Sequence, residues 1–564
     1  MKSACAFLFF LAYAVAATRP LAFRAATHTL IGPDPLSHLW MVSWLTGHAF
    51  DPGQIFQGNI FHPAAHAALF TDLSLGTAIL VLPLRLVTRE PLILFNAGTV
   101  LALAFGGWAF HALLHGLTGN RWAGLLAGIL AAFSSHQMSH IYHLNLLSIG
   151  WLALFLLGLH RIMERGTIGS AVLAGVSFAL TAQSSGYYGV AAAVLALVFA
   201  AFHLSSWGVL LVPGHGSPGR RTPQTPRLAC TPAGAWVLGR SESGLARRLA
   251  CLLGAAVLAV TLTLPYLLAF RALQEEQGIR RPPGMSVKMA FHPSRDLTSW
   301  AHVYIGLLGG DGEVLFPGLL PLVLGGVAVL RRGRQAWFYA AGAAVLVVLS
   351  LGPEVTLGSR TMSMPYQWLS AVPPFDSMRH PFTFASVALF LLAVLAGVGW
   401  ARLAVASKPW AGPAIVLLAI AETMTDAPRL REIPPGLPPA YRILETLPAG
   451  PILEVPVFSG ESVLWAARHG RPVLNGIGSF APAQTVVLDR YIQNHWLHGV
   501  PEDIDTSRPA TYLRERFPVR YVIIPVGRAS GLRRLAAAFD RSRTFRLAAV
   551  AADGDRIYEV VGVR

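Results

Sequence analysis

Leu73-Ser-Leu-Gly-Thr-Ala-Ile-Leu-Val-Leu-Pro83-Leu-Arg85-Leu-Val-Thr88 is the segment on which the topology turns. It is apolar, but a helix needs about 20 apolar residues to cross a bilayer core about 30 Å thick. Pro83 and Arg85 cut this one short. If it crossed, the loop at 205–248 would face outward with Arg220, Arg221, Arg227, Arg240, Arg247 and Arg248 set against the single acid Glu242. Loops rich in arginine and lysine stay on the cytoplasmic side. Segment 73–88 therefore reads as a re-entrant or interfacial helix. The same choice also puts Arg161 and Arg165, the run Arg331-Arg332-Gly333-Arg334, and Arg402 with Lys408 inside.

Around that segment the chain reads as a polytopic membrane protein. Of its 564 residues 54% are hydrophobic and 13% charged, whereas a soluble domain carries roughly 25% charged residues. An ordinary soluble enzyme is excluded. Spans are expected at 5–17, 91–116, 121–133, 144–162, 168–183, 186–204, 249–270, 315–330, 336–352, 383–401 and 411–425, which makes eleven. The first resembles a signal-peptide core and reads as a retained helix; cleaved or retained, it leaves the loop 25–72 outside. The net charge of +16, from 44 Lys+Arg against 28 Asp+Glu, lies mainly between apolar blocks. It orients the chain rather than binding nucleic acid. Cys5, Cys230 and Cys251 are too few and too scattered for a disulfide framework or a thiolate metal cage.

The composition changes after Thr425. Residues 427–564 alternate short β-like runs at 452–457, 519–526 and 557–563 with helical stretches. The expected fold class is thus mainly α, a transmembrane helical bundle over 1–426 followed by a soluble α/β domain over 427–564. By the same threading that domain lies outside the cytoplasm, tethered by the Pro-rich stretch 433–439. The location expected is a bacterial cytoplasmic (inner) membrane.

No Asp, Glu, Lys or Arg falls in the middle of an expected span. Ion-coupled pumps and symporters need charge at that depth, so the chemistry is sought in the outer loops. Loop one holds Gly32-Pro33-Asp34-Pro35-Leu36-Ser37-His38-Leu39-Trp40. Asp34 followed by Pro35 is an ordinary helix start. It is equally a carboxylate at the water–lipid boundary, able to take a proton from a hydroxyl or to ligate a divalent ion. Loop two, Phe133-Ser-Ser-His136-Gln-Met-Ser-His140-Ile-Tyr-His143-Leu144, brings three imidazoles close enough to bind a metal or a phosphate, or merely to cap and anchor. A later outer loop carries Arg280, Arg281, Lys288 and Arg295 on the face where cations are sparse. Nearby acids balance them, or they receive an anionic lipid phosphate, which arginine grips with two hydrogen bonds. Glu313, Arg379 and His380 fall on the same boundary.

These residues resemble the GT-C superfamily of membrane glycosyltransferases, in a bacterial branch related to the mannosyltransferase and aminoarabinose-transferase groups. The resemblance rests on Gly32-Pro33-Asp34 ahead of a Trp-bearing helix, the loop-two motif, Gln183-Ser-Ser-Gly-Tyr-Tyr188, Gly312-Glu313-Val-Leu-Phe-Pro-Gly-Leu, Pro365-Tyr366 and Ser377-Met-Arg379-His-Pro-Phe-Thr-Phe. It runs along nearly the whole chain through short, degenerate motifs. It implies transfer of a sugar from a polyprenyl-phosphate carrier to an acceptor hydroxyl on a glycan, lipid or protein, outside the cytoplasm and with inversion. It implies Asp34 as the base. His38, His140, His143, Arg280, Lys288, Glu313 and Arg379 are the expected substrate-binding residues. The next outer loop has no second acid, histidines standing in its place, and a divalent cation stays open as cofactor. The competing reading is a non-catalytic component of lipid-linked glycan export or a flippase. A metal transporter would continue its polar ligands through the spans, which these spans do not do.

Overall fold

The computed structural model describes residues 3–32, 34–206, 242–278, 315–357, 360–372, 375, 378, 380–497 and 507–561. Arg280, Lys288, Glu313 and Arg379 lie outside them.

The chain opens with α1 (Ser3–Ala17), strand β1 (His28–Leu30) and α2 (Pro35–Gly47). Next come α3 (Leu75–Val81), α4 (Pro91–Thr118), α5 (Arg121–Ala132), α6 (Ile149–Arg165), α7 (Ile168–Ser184) and α8 (Gly186–Ser206). The remaining bundle helices are α9 (Glu242–Gln277), α10 (Leu319–Leu330), α11 (Arg334–Ser350), α12 (Thr383–Ala401) and α13 (Ala411–Thr423). Between α11 and α12 a two-stranded antiparallel hairpin, β2 (Glu354–Leu357) and β3 (Arg360–Ser363), projects outward. Every expected span coincides with a helix. By length and composition, five helices among the described residues are fit to cross a membrane: Pro91–Thr118, Leu144–Arg165, Gly186–His203, Gly244–Gln277 and Thr383–Ala401. Six more apolar helices are shorter, at 10–17 residues.

Segment 73–88 is one of the short ones. Ser74 takes a left-handed conformation ahead of α3, and a 3-10 turn at Leu82–Leu86 that contains Pro83 closes it. Together Leu75–Leu86 fall well short of a bilayer core. The segment's first turns pack against the bundle, where Thr77 Oγ1 meets Ser148 Oγ at 2.9 Å and the Gly76 N–H donates to Ser184 Oγ at 2.8 Å, whereas Leu86 and Val87 are exposed. By contrast, α9 turns Leu253, Val257, Val260, Leu264, Leu267 and Leu268 outward, a surface that only lipid would cover without cost.

Strand β4 (Leu430–Glu432) leads into α14 (Pro439–Thr446), β5 (Ile452–Glu454), α15 (Gly460–His469), α16 (Ala483–Tyr491), α17 (Ser507–Arg516), β6 (Tyr521–Ile524), α18 (Ser530–Asp540), β7 (Phe545–Val550) and β8 (Arg556–Val560). The sheet order is β5-β6-β8-β7, with β5 and β6 parallel and the other pairs antiparallel. Trp496, Phe539, Phe545 and Tyr558 fill a core on one face.

A Pro-rich tether is not what joins this part to the bundle. Strand β4 pairs with β1, His28 opposite Glu432, and the Ile433 N–H continues the ladder to Thr27 O at 2.8 Å. Helix α15 packs on α2, and Ile452, Val463, Leu464 and Trp465 share the bundle's hydrophobic core. Asn59 cross-links the two: its Oδ1 accepts the Trp40 indole N–H at 2.7 Å, and its Nδ2 donates to Ala466 O at 2.8 Å. The Arg468 guanidinium, only 7% exposed, reaches Glu90 Oε1 at 2.8 Å just ahead of α4. Within 433–439, Ile433 is thus bonded to Thr27, and the Pro434 and Gly436 carbonyls accept from Arg468.

Candidate functional site

Asp34 occupies the N-cap position of α2, and its backbone carbonyl accepts from the Ser37 and His38 N–H groups. Its side chain makes no capping bond to the helix. Pro35 stands at the first helical position, where its fixed φ suits a helix start. The carboxylate instead turns toward loop two, where His143 Nε2 lies 3.0 Å from Asp34 Oδ2. Both side chains stay in touch with water, at 19% exposure for His143 and 44% for Asp34. The bond is met by the tautomer or imidazolium in which Nε2 carries the proton.

What brings the two loops together is a close approach at Gly32. A Cβ there would stand 2.7 Å from Tyr142 Cγ, inside the neighbouring ring. Only glycine lets loop one lie flat on Tyr142, which precedes His143. Behind the pair the imidazoles form a column. His140 faces His143 with ring centroids 5.8 Å apart, and its Nδ1 meets His136 O at 2.9 Å. His136 follows, 4.4 Å from His140. His38, one turn along α2, is buried edge-on to His143 at 5.8 Å, with Ser74 Oγ 3.3 Å from its Nδ1. Burial, and then the neighbouring His143, lower the His38 pKa to about 3 against the pull of Asp34, so His38 stays neutral at ordinary pH.

Of the expected site residues, Asp34, His38, His140 and His143 thus meet in one cluster, whereas Arg280, Lys288, Glu313 and Arg379 lie outside the described residues. One residue was missed. Asp72, at the end of loop one, accepts from Asn145 Nδ2 at 2.7 Å and from the Gly186 N–H that opens α8 at 3.4 Å. Loss of hydration raises its pKa above the ordinary carboxylate value, opposed by those two bonds and by His143. His143 and Asn145, two positions apart, therefore each hold one acid of loop one. Loop two itself holds no carboxylate, as its sequence says, but Asn145 just after it binds a second acid of loop one. The Gln183–Tyr188 motif is drawn into the same place, since Gly186 faces Asp72 and Tyr188 OH donates to Leu146 O at 3.2 Å. Its signal lay in the polar Thr71-Asp72 pair standing directly before an apolar run.

Among the described residues no group of three or more His, Cys, Asp or Glu is arranged to hold a metal ion, so no step below runs through one. Chemically the cluster offers a water-accessible carboxylate oriented by an imidazole, with a second, desolvated carboxylate close to the same loop.

No protein-family model matches the chain, and no curated protein sequence matches it. Solved structures do. The arabinofuranosyltransferase AftD from Mycobacteria superposes with a TM-score of 0.51 and 16% identity, over 95% of this chain and 40% of its own. A mutant form of AftD gives 0.51 and 15%, over 95% and 42%. The oligosaccharyltransferase AglB from Archaeoglobus fulgidus, in complex with an inhibitory peptide and a dolichol-phosphate, gives 0.45 and 13%, over 99% and 74%. The chain spans 40% of the length of AftD. Over the residues matched, its fold is similar to that of AftD.

Proposed function

We propose that the chain is a membrane glycosyltransferase that moves a sugar from a polyprenyl-phosphate carrier to an acceptor hydroxyl on the outer side of a bacterial cytoplasmic membrane, threaded through it by about eleven spans. The observation that carries this reading is the Asp34–His143 pair at the head of α2, in a chain with the fold of AftD.

Asp34 is the base. An acceptor hydroxyl gives its proton to the Asp34 carboxylate as its oxygen attacks the anomeric carbon. The bond from that carbon to the carrier phosphate breaks, and its electron pair leaves on the phosphate oxygen. The anomeric centre inverts, releasing the glycoside and the polyprenyl phosphate. The hydrogen bond from His143 Nε2 fixes the rotation of the carboxylate. His38 and His140 hold His143 in place by ring packing. A phosphate leaves without a strong general acid, so cations suffice to stabilise it; by charge alone Arg280, Lys288 and Arg379 are assigned to it, and Glu313 to the acceptor side.

The test is turnover of the purified protein in lipid nanodiscs, with undecaprenyl-phosphate-linked pentoses and hexoses as donors and released undecaprenyl phosphate as readout. Asp34→Asn should lower turnover by about 10²- to 10⁴-fold. Full activity in that variant removes Asp34 from the mechanism. Passage of an intact carrier across the bilayer by wild type, with its sugar–phosphate bond unbroken, identifies an export component instead.

A further inference from the structure

A second polar constellation flanks the head of α2 from the C-terminal side. Strand β5 ends at Glu454, which is 1% exposed. Its carboxylate accepts from Tyr441 OH, from Ser459 Oγ at 3.3 Å and from Arg528 Nη1 at 3.0 Å, while Asn475 Oδ1 takes its N–H at 2.8 Å. So held, Arg528 extends its other nitrogen to Glu461 at 3.0 Å, and Arg431 stands 3.8 Å from the second Glu461 oxygen. The inner end of this chain is buried and the outer end is not: Arg431 is 43% exposed and Glu461 and Arg528 are each 41% exposed.

Its position ties it to Asp34. Arg431 lies on β4 opposite Thr29 of β1, a few residues ahead of Asp34. Gly460 lies against Leu36, with 3.2 Å from its would-be Cβ to Leu36 Cδ1, so the first turns of α2 and α15 run side by side. Phe458, just before this turn, exposes 41% of its surface.

A purely structural ion-pair chain gains little from an exposed outer half, and it does not account for the exposed ring of Phe458, three residues before Glu461. Fixed guanidinium and carboxylate groups bind neighbouring sugar hydroxyls as donor and acceptor, and an aromatic face packs on the C–H side of a sugar ring. A lone hydroxyl on a protein side chain or a lipid offers no second group to engage them. We propose that Arg431, Glu461, Arg528 and Phe458 form an acceptor subsite for a sugar residue of a hydroxyl-rich glycan. This rests on the glycosyltransferase reading and names its acceptor class. Glu454 is a positioning residue that acts through Arg528.

The test is saturation-transfer NMR on the full chain in nanodiscs, with methyl glycosides of mannose, glucose, galactose and arabinofuranose as probes. At least one should bind wild type and Asp34→Asn alike. Glu461→Gln should weaken it at least about tenfold, the loss expected for one charge-assisted hydrogen bond, and Phe458→Leu, which removes the ring face, by about two- to tenfold. Both substitutions fall on exposed side chains, and an unchanged thermal transition confirms folding. No binding by any probe, or equal binding in wild type and both variants, overturns the subsite. The base assignment is judged separately by Asp34→Asn turnover, so either proposal can fail alone.

Discussion

His143 Nε2 stands 3.0 Å from Asp34 Oδ2 across 109 residues of sequence, and this contact, rather than a helix cap, is what the Asp34 side chain does. Removing a hydrogen bond to a charged group costs about 1.5–3 kcal/mol, so His143→Ala should lower turnover by about ten- to a hundredfold. In the proposed mechanism donor KM should change little, because the bond orients the Asp34 carboxylate rather than the carrier. His143→Gln keeps an N–H donor and should recover part of the loss. Equal rates in all three proteins would show that the pair does not orient the base.

Asp72 gives a pH-dependent prediction. Its folded-state pKa lies above the ordinary carboxylate value, chiefly from loss of hydration. The folded chain therefore holds a proton that the unfolded chain releases, and wild type loses stability as pH rises from about 4, the unfolded value, through the folded one. Asp72→Asn removes that cost: its oxygen can still accept from the Gly186 N–H, and its NH2 can donate to Asn145 Oδ1 once the Asn145 amide turns over. The variant should melt higher than wild type at neutral pH, with the gap closing toward pH 4. Melting curves between pH 4 and pH 8 decide it; a gap that widens on acidification has the wrong sign.

Much of this architecture can be read from residue order, for physical reasons that also mark where such reading stops. Apolar blocks such as 91–116 declare helices because burial in lipid needs long apolar runs, and 73–88 declares itself short through Pro83. Asp34 and His143 each stand out by residue type, but their pairing depends on Gly32 lying against Tyr142, a tertiary contact that no local spacing encodes. Asp72 escaped notice because its partners are a side-chain amide and a backbone N–H, neither of which titrates. Strands β1 and β4 are three residues each, too short for an alternating pattern to emerge. Thus the 433–439 stretch read as a tether, although the residues on either side of it are locked to loop one. Strand β7, Phe545-Arg-Leu-Ala-Ala-Val550, carries two alanines and a single β-branched residue, a weak strand signal.

Glu90 should prove to be a fastening point for the C-terminal sheet. Arg468, 7% exposed, gives its Nε and Nη2 to Glu90 Oε1 and its Nη1 to the Pro434 and Gly436 carbonyls. Glu90→Ala leaves that guanidinium without its counter-charge. The expected cost is about 2–3 kcal/mol, because Glu90 is partly hydrated and the full penalty of a broken buried pair does not apply. Limited proteolysis should then cut within 433–439 faster than in wild type. An unchanged cleavage rate would place the fastening elsewhere, at Asn59 or along β1 and β4.

The crossing of α1, α4 and α5 turns on two glycines whose substitutions should differ in whether they can be rescued. The three atoms nearest a Cβ on Gly107 of α4 all belong to the Phe10 ring of α1. A Cβ on Gly128 of α5 would strike Phe10 and also the Gly107 carbonyl oxygen, a backbone atom fixed by its own helix. Association of helices in lipid relies on close van der Waals packing, with no hydrophobic drive to compensate a gap, and overpacking typically costs about 1–3 kcal/mol. Both Gly107→Ala and Gly128→Ala should therefore destabilise the folded protein. Phe10→Ala, which removes the Cγ, Cδ1 and Cε1 atoms that crowd this Cβ, should restore part of the loss in Gly107→Ala. The same change should restore little in Gly128→Ala, because the α4 carbonyl remains in the way. Thermal unfolding of the two double mutants against their singles measures this coupling. Equal rescue in both would mean that α4 and α5 separate more easily than the backbone contact implies.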